Sequence, residues 1–223
     1  MIRLSKKFIP KIVFIFLIIF FAAIVQGFSD TSQAWLKNSL TLTLSSKWDL
    51  KISHEFRNFN ITYSNPYYKN IAGGFVFHLP KNFYVSAVYK RVRVEFQDVF
   101  YNENRFVLEA GWETKMAENL DFDIRFRTEI REFEEELPED HLRFRLQLRL
   151  KTELFLGKLR LVPFIANETL GKTKIYTIQK NRFYIGSMIP LGEHVTFVIS
   201  YMWLATRGAE SIHILYSGFA LEF

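Results

Sequence analysis

The sequence predicts an all-β chain: an antiparallel up-and-down transmembrane β-barrel of about 10–12 strands, preceded by a cleaved signal peptide. Three observations carry this expectation. Apolar and polar residues alternate with period two through most of the chain after Gln33, the pattern of strands with one apolar face. The alternating runs reach about 10–12 residues, long enough to cross a bilayer at a tilt. The last stretch, Tyr216-Ser217-Gly218-Phe219-Ala220-Leu221-Glu222-Phe223, alternates to a terminal aromatic, which suits a closing strand whose last outward side chain sits in an interfacial girdle.

The N-terminus reads as a leader. Arg3, Lys6, Lys7 and Lys11 precede an unbroken apolar run from Ile12 to Val25, followed by Gln26, Gly27 and Phe28. A basic region, a short apolar region and slim residues before the cut describe a secretory signal peptide, whereas a membrane anchor needs about 20 apolar residues. The expected division is 1–27 signal peptide and 28–223 outer-membrane barrel domain, which places the mature protein in the bacterial outer membrane. The chain has no Cys, which excludes disulfide staples. Without the four leader charges, the formal net charge falls from +6 to +2. That is too diffuse for a nucleic-acid surface, which needs a concentrated basic patch.

The strands follow in order. Gln33 to Ser45 sets Leu36, Leu40, Leu42 and Leu44 against Lys37, Ser39, Thr41 and Thr43, and Asp49 to Tyr63 follows a Ser-Ser-Lys turn. Asn70 to Leu79 carries Gly73-Gly74, a mark of a bend or of close backbone approach, and leads through Pro80-Lys81-Asn82 into Phe83 to Phe96. Arg105 to Thr114, Leu120 to Arg131 and Leu142 to Lys151 are the cleanest alternators. Leu159 to Leu170, interrupted by Pro163, precedes Asn181 to Ile189, Val195 to Thr206 and Ser211 to Phe223. These are eleven candidates, whereas bacterial single-chain barrels have even strand numbers. Ten and twelve therefore both stay open.

Alternation alone does not say which way the apolar face points. Strand length, charge at nearly every position of the other face, and the aromatic end favour lipid outside. A soluble, lipocalin-like periplasmic barrel binding an apolar ligand is the alternative with the faces exchanged.

Charge pairing across hairpins suggests a register, because directly opposite neighbours favour unlike charge. Centring one hairpin on Ala117 sets Glu109 against Arg125, Arg105 against Glu129, and Glu103 against Arg131. Centring its neighbours on Phe100 and Glu136 sets Arg91 against Glu109, Glu95 against Arg105, Glu129 against Arg143, and Asp123 against Arg149. Two rows emerge: Glu95–Arg105–Glu129–Arg143 and Arg91–Glu109–Arg125–Gln147. The expected lumen ladder comprises Arg91, Glu95, Arg105, Glu109, Asp123, Arg125, Arg127, Glu129, Arg143, Arg145 and Arg149. Facing lipid, each Arg would cost about 2–4 kcal/mol at the midplane, so these rows belong inside. They are either structural struts or a charged constriction favouring anions.

Catalysis needs a nucleophile or activated water near a positioned base. Of the five histidines, His54 and His213 sit in strands with no evident Ser or Asp partner, His194 lies in a short turn, and His141 sits in an acidic loop with Glu139 and Asp140. No Gly-rich phosphate loop, zinc spacing or calcium loop is present. The expectation is therefore no catalytic, cofactor or metal residue. A lipid or peptide hydrolase with a site near Glu132–His141 or Tyr63–Asn70 is the alternative.

Several segments resemble known proteins. Arg143-Phe144-Arg145-Leu146-Gln147-Leu148-Arg149-Leu150 is one, together with Asn104-Arg105-Phe106, Pro163-Phe164-Ile165-Ala166-Asn167-Glu168 and Asn181-Arg182-Phe183-Tyr184-Ile185-Gly186. With them the chain resembles a bacterial family of small outer-membrane barrels known only as a domain of unknown function. The resemblance implies a barrel, outer-membrane placement and no assigned substrate, and it suggests that Pro163 and Glu168 mark a bent strand with an inward carboxylate. The spacing Gly218-x-x-Leu221-x-Phe223 likewise resembles the C-terminal signal read by barrel-insertion machinery. The expected partners are thus the bilayer and that machinery. The expected role is a narrow channel or structural barrel with an Arg- and carboxylate-lined lumen.

Overall fold

The computed structural model describes residues 32–59, 66–96, 98–134, 142–172 and 177–223. The signal-peptide expectation, residues 135–141 of the acidic loop and residues 63–65 of the Tyr63–Asn70 loop lie outside these residues.

Among the described residues, twelve strand segments form one closed sheet. They are β1 (Ser32–Thr43), β2 (Trp48–Asn58), β3 (Tyr68–His78), β4 (Phe83–Phe96), β5 (Val99–Ala117), β6 (Leu120–Phe133), β7 (Leu142–Thr152), β8 (Leu154–Leu156), β9 (Leu159–Lys172), β10 (Thr177–Pro190), β11 (Val195–Thr206) and β12 (Ala209–Glu222). On β9, Lys151 of β7 stands opposite Phe164 and Leu154 of β8 opposite Leu161, a single unbroken register. The two are one stave interrupted at Glu153, so the barrel has eleven staves.

Eleven replaces the ten or twelve that the even-number rule left open. Staves that alternate in direction around a ring of odd number must leave one adjacent pair running the same way. Here that pair is β1 and β12, which close the barrel in parallel, from Ser32 opposite His213 to Thr41 opposite Glu222. Every other neighbouring pair is antiparallel.

The seam is interrupted where Lys37 and Asn38 pass Gly218 and Phe219. The Lys37 carbonyl oxygen lies so close to Gly218 that a Cβ there would stand 1.6 Å from it. The ladder is patched by a side chain: the Phe219 backbone N–H donates to Asn38 Oδ1 at 2.8 Å. Asn38 Nδ2 is in turn held 2.7 Å from His54 Nε2.

Strand parity assigns the faces. Outward lie Ile71, Phe75, Leu108, Phe126, Leu146 and Ile165, all exposed. Inward lie Glu103, Arg105, Glu129, Arg145, Glu168 and Arg182, all buried. This inverts a soluble core, in which buried positions are apolar. The wall of β1 and β10–β12 turns an apolar cluster inward: Trp35, Met202, Leu204 and Ile214 meet there, packed against Tyr184 and Tyr216.

Two expected registers change. Between β5 and β6, Glu109 stands opposite Arg127 and Arg105 opposite Arg131, two residues from the expected pairing. The hairpin turns through Glu118-Asn119 with an irregularity between Lys115 and Ala117, which moves its centre. Between β4 and β5, Arg91 stands opposite Asn104 and Glu95 opposite Phe100, because the strands run to Phe96 and Val99 around a tight turn with Asp98 at φ 62°. An odd shift flips every side chain to the other face. Arg91 and Glu95 therefore face outward, and Lys90, Val92 and Val94 take their place inside.

Candidate functional site: an ionic layer and a basic chamber

The sequence packs β5, β6 and β7 with Arg and Glu at alternate positions, and strand geometry sends all of them to one side. Curling that sheet into a barrel brings them together with the few charges of the opposite wall. The result is a layer of ion pairs around the lumen wall, each within one strand or between neighbouring strands. Arg105 and Arg131 both grip Glu103, with Nε–Oε1 distances of 2.7 Å each. Arg105 Nη1 also lies 3.5 Å from Glu129, and Arg145 Nη2 donates to the same carboxylate at 3.0 Å. From the far side of Arg145, Glu168 is 3.4 Å away and accepts from Arg182 at 2.7 Å. The Arg182 guanidinium lies over the Trp35 ring at 5.2 Å, and that of Arg57 over the same ring at 3.7 Å. Arg57 donates to Glu55 at 2.7 Å, and Asn70 reaches Glu55 at 3.3 Å.

Glu103 and Glu129 are 0 % exposed. Buried charges persist only when paired and hydrogen-bonded, and most of this layer satisfies that demand. Three atoms do not: Glu129 Oε1, Arg145 Nε and Arg182 Nε have no hydrogen-bond partner among the described residues.

Two cavities meet at the layer, and Arg57, Arg105, Arg145 and Arg182 line both. One, of about 170 Å³, also takes in Arg131, Arg143 and Lys180. The other, of about 290 Å³, lies toward the end of the barrel where β12 finishes, and takes in Lys37, Lys51, Lys90, Arg125 and Arg127. Around it Arg127 donates to Glu109 at 2.7 Å, Arg125 to Gln147 at 2.5 Å and Arg149 to Asp123 at 2.5 Å.

Of the expected ladder, Arg105, Glu109, Asp123, Arg125, Arg127, Glu129, Arg143, Arg145 and Arg149 face inward. Arg91 and Glu95 do not. Arg91 joins an outer-face chain in which Tyr89 and Arg91 both donate to Asn104 at 2.6 and 2.7 Å, and it pairs with Glu134. Several expected partners touch diagonally rather than directly across: Arg125 lies 3.7 Å from Glu109 although Arg127 is its opposite. Glu129 stands opposite Arg143, but its carboxylate meets Arg145.

The expected ladder leaves out Lys37, Lys51, Glu55, Arg57, Lys90 and Arg182. Lys37, Lys51, Glu55 and Arg57 stand on the polar faces of β1 and β2, but the expected charge rows run only through β4–β7, and closure of the barrel is what brings these strands to the same lumen. Glu168, suggested by the family resemblance alone, does face inward. At the closing strand, Gly218 faces the seam, Phe219 and Leu221 face outward, and the Phe223 ring stacks on His194 at 4.8 Å.

Among solved structures, the β-domain of the Bordetella autotransporter BrkA is similar at 11% identity, with 84% of this chain and 94% of that chain covered and a TM-score of 0.49. No protein of curated function matches the chain in sequence. The profile of the family described as "Protein of unknown function (DUF2490)" matches residues 32–211, and the chain belongs to that family.

Proposed function

We propose that this protein is an outer-membrane β-barrel that serves as a narrow, anion-preferring channel constricted by the ionic layer. The observation that carries the reading is the distribution of charge: buried ion pairs inside, exposed large apolar side chains outside. An outward belt of Ile71, Phe75, Leu108, Phe126 and Leu146 is suited to lipid, and in water it would be a large adhesive patch. A soluble barrel binding an apolar ligand would need the opposite arrangement.

The lumen is narrow because the long side chains of the ionic layer project into it, and Arg182 of β10 reaches past two intervening strands to the Trp35 ring of β1. It is basic because the inward acids are already engaged by arginines, leaving lysines over. Rings of Arg or Lys are the means by which pores favour anions. The alternating face of β12, with Phe219, Leu221 and Phe223, is the surface offered to barrel-insertion machinery. We assign no catalytic role.

Planar-bilayer recording under a potassium chloride gradient tests the proposal. A small, anion-selective conductance is expected, with the reversal potential displaced toward that of chloride. A barrel that inserts and never conducts would be a sealed structural element. The complete burial of Glu103 and Glu129 is what favours that second reading.

A further inference from the structure

The chamber on the β12-terminal side of the layer holds a surplus of basic side chains that no carboxylate among the described residues pairs directly. Lys37, Lys51 and Lys90 project into it from β1, β2 and β4. None of the three has an ion-pair or hydrogen-bond partner among the described residues. The acids that could have served them are engaged elsewhere: Glu55 by Arg57 at 2.7 Å, Glu109 by Arg127 at 2.7 Å, and Glu168 by Arg182 at 2.7 Å. The lysines are also close enough to feel one another, since Lys37 lies within electrostatic reach of both Lys51 and Lys90. Arg125 and Arg127 add positive charge from the opposite wall.

Such a grouping is self-repulsive, and an enclosed, low-dielectric lumen strengthens the repulsion. A stable wall would be expected to spread these charges or pair them. A second, independent observation points the same way. Arg145 and Arg182, each 7 % exposed, line the same chamber and keep Nε donors without a hydrogen-bond acceptor. Point-like ammonium groups on one arc of the wall, with guanidinium donors facing and beside them, match a compact acceptor of high charge.

We infer that this chamber is a binding site for a small multivalent oxyanion of the phosphate class, held chiefly by Lys37, Lys51 and Lys90. A monovalent ion such as chloride neutralises too little of the surplus. A diphosphate supplies several acceptor oxygens to donors arriving from opposite walls, and a space of about 290 Å³ admits it. The chamber faces the lumen, away from lipid, so the ligand is a free solute. The inference deepens the channel reading by naming its solute class, but the site can exist in a barrel that does not conduct.

Calorimetric titration of the folded, detergent-purified chain with diphosphate, inorganic phosphate and chloride at constant ionic strength tests it. Saturable one-to-one binding is expected, with diphosphate tightest and chloride without measurable heat. Lys51→Gln and Lys90→Gln should each weaken diphosphate by about tenfold, the scale of one charged hydrogen bond. Lys51→Arg should hold the loss well below that of Lys51→Gln. Lys158→Gln, in the turn between β8 and β9, should change nothing. Lys37 adjoins the seam, so the Lys51 and Lys90 variants carry the test, each checked for folded migration on unheated gels. No saturable binding to the folded wild type, or affinity unchanged in both Gln variants, would overturn the site. Chloride conductance without diphosphate binding would overturn the site and leave the channel standing, whereas binding without conductance would do the reverse.

Discussion

Arg105 Nη1 lies 3.5 Å from the Glu129 carboxylate, although the residue opposite Glu129 on the neighbouring strand is Val107. The pair meets on the diagonal, within reach of long side chains. Glu129 is shared: Arg145 donates to it at 3.0 Å, and Arg127 lies 3.8 Å away. Removing one partner of a buried ion pair costs about 3–5 kcal/mol, and Glu129→Gln should lose stability on that scale in urea unfolding from lipid vesicles. Charge exchange in Glu129→Arg with Arg105→Glu should not restore it, because Arg145 and Arg127 would still face a cation at 129. A Gln variant as stable as wild type would show that the layer is not held by this carboxylate.

The seam depends on one missing side chain. A Cβ on Gly218 would lie 1.6 Å from the Lys37 carbonyl oxygen and 2.6 Å from its carbon, whereas at Gly73 it would meet nothing within 4 Å. Gly218→Ala should therefore lower refolding yield sharply, scored by the heat-modifiable band, while Gly73→Ala folds normally. Equal yields would mean that β1 can move away from β12 without penalty.

Asn38 closes the gap that the seam leaves. Its Oδ1 accepts from the Phe219 N–H at 2.8 Å. With Ala at 38 that donor is left without its acceptor, a loss of about 1–3 kcal/mol when the group is shielded from water. Hydrogen exchange at the Phe219 amide should accelerate in Asn38→Ala while amides of the β5–β6 ladder keep their rates. Unchanged exchange at Phe219 would place the seam's cohesion elsewhere.

The outward belt has its own prediction. Leu108 is 57 % exposed and faces away from the lumen. An Arg on a lipid face costs about 2–4 kcal/mol near the midplane and much less near the interface. Leu108→Arg should cut insertion into lipid vesicles well below the level of Leu108→Ala, and by more than Phe223→Arg at the strand terminus. Equal insertion of all three would argue against a lipid-facing wall.

Much of this architecture was legible in the sequence because period two is a strong local signal. The β6–β7 register was readable too: Asp123 opposite Arg149 and Glu129 opposite Arg143 are the observed partners. Charge pairing misled by two residues between β5 and β6, because diagonal contacts satisfy Arg and Glu as well as direct ones do. It misled by an odd number between β4 and β5. There Lys90-Arg91-Val92-Arg93 offers a cation to either face, and only the tight turn before Val99 decides which faces inward. The parallel seam had no sequence signal, since nothing local to β1 or β12 records which strand closes on which. The meeting of Lys37, Lys51, Lys90 and Arg182 had no signal either, because it is a consequence of closure.

Which face meets lipid can be measured directly. The chain contains no cysteine, so single cysteines can be placed at Leu40, Ile52 and Leu108 on one face and at Ser39, Ser53 and Ser86 on the other. Each is labelled with a small fluorophore and the barrel folded into vesicles containing brominated lipid. Quenching at Leu40, Ile52 and Leu108, with Ser39, Ser53 and Ser86 unaffected, is the expected result; quenching at the serine positions instead would contradict the account.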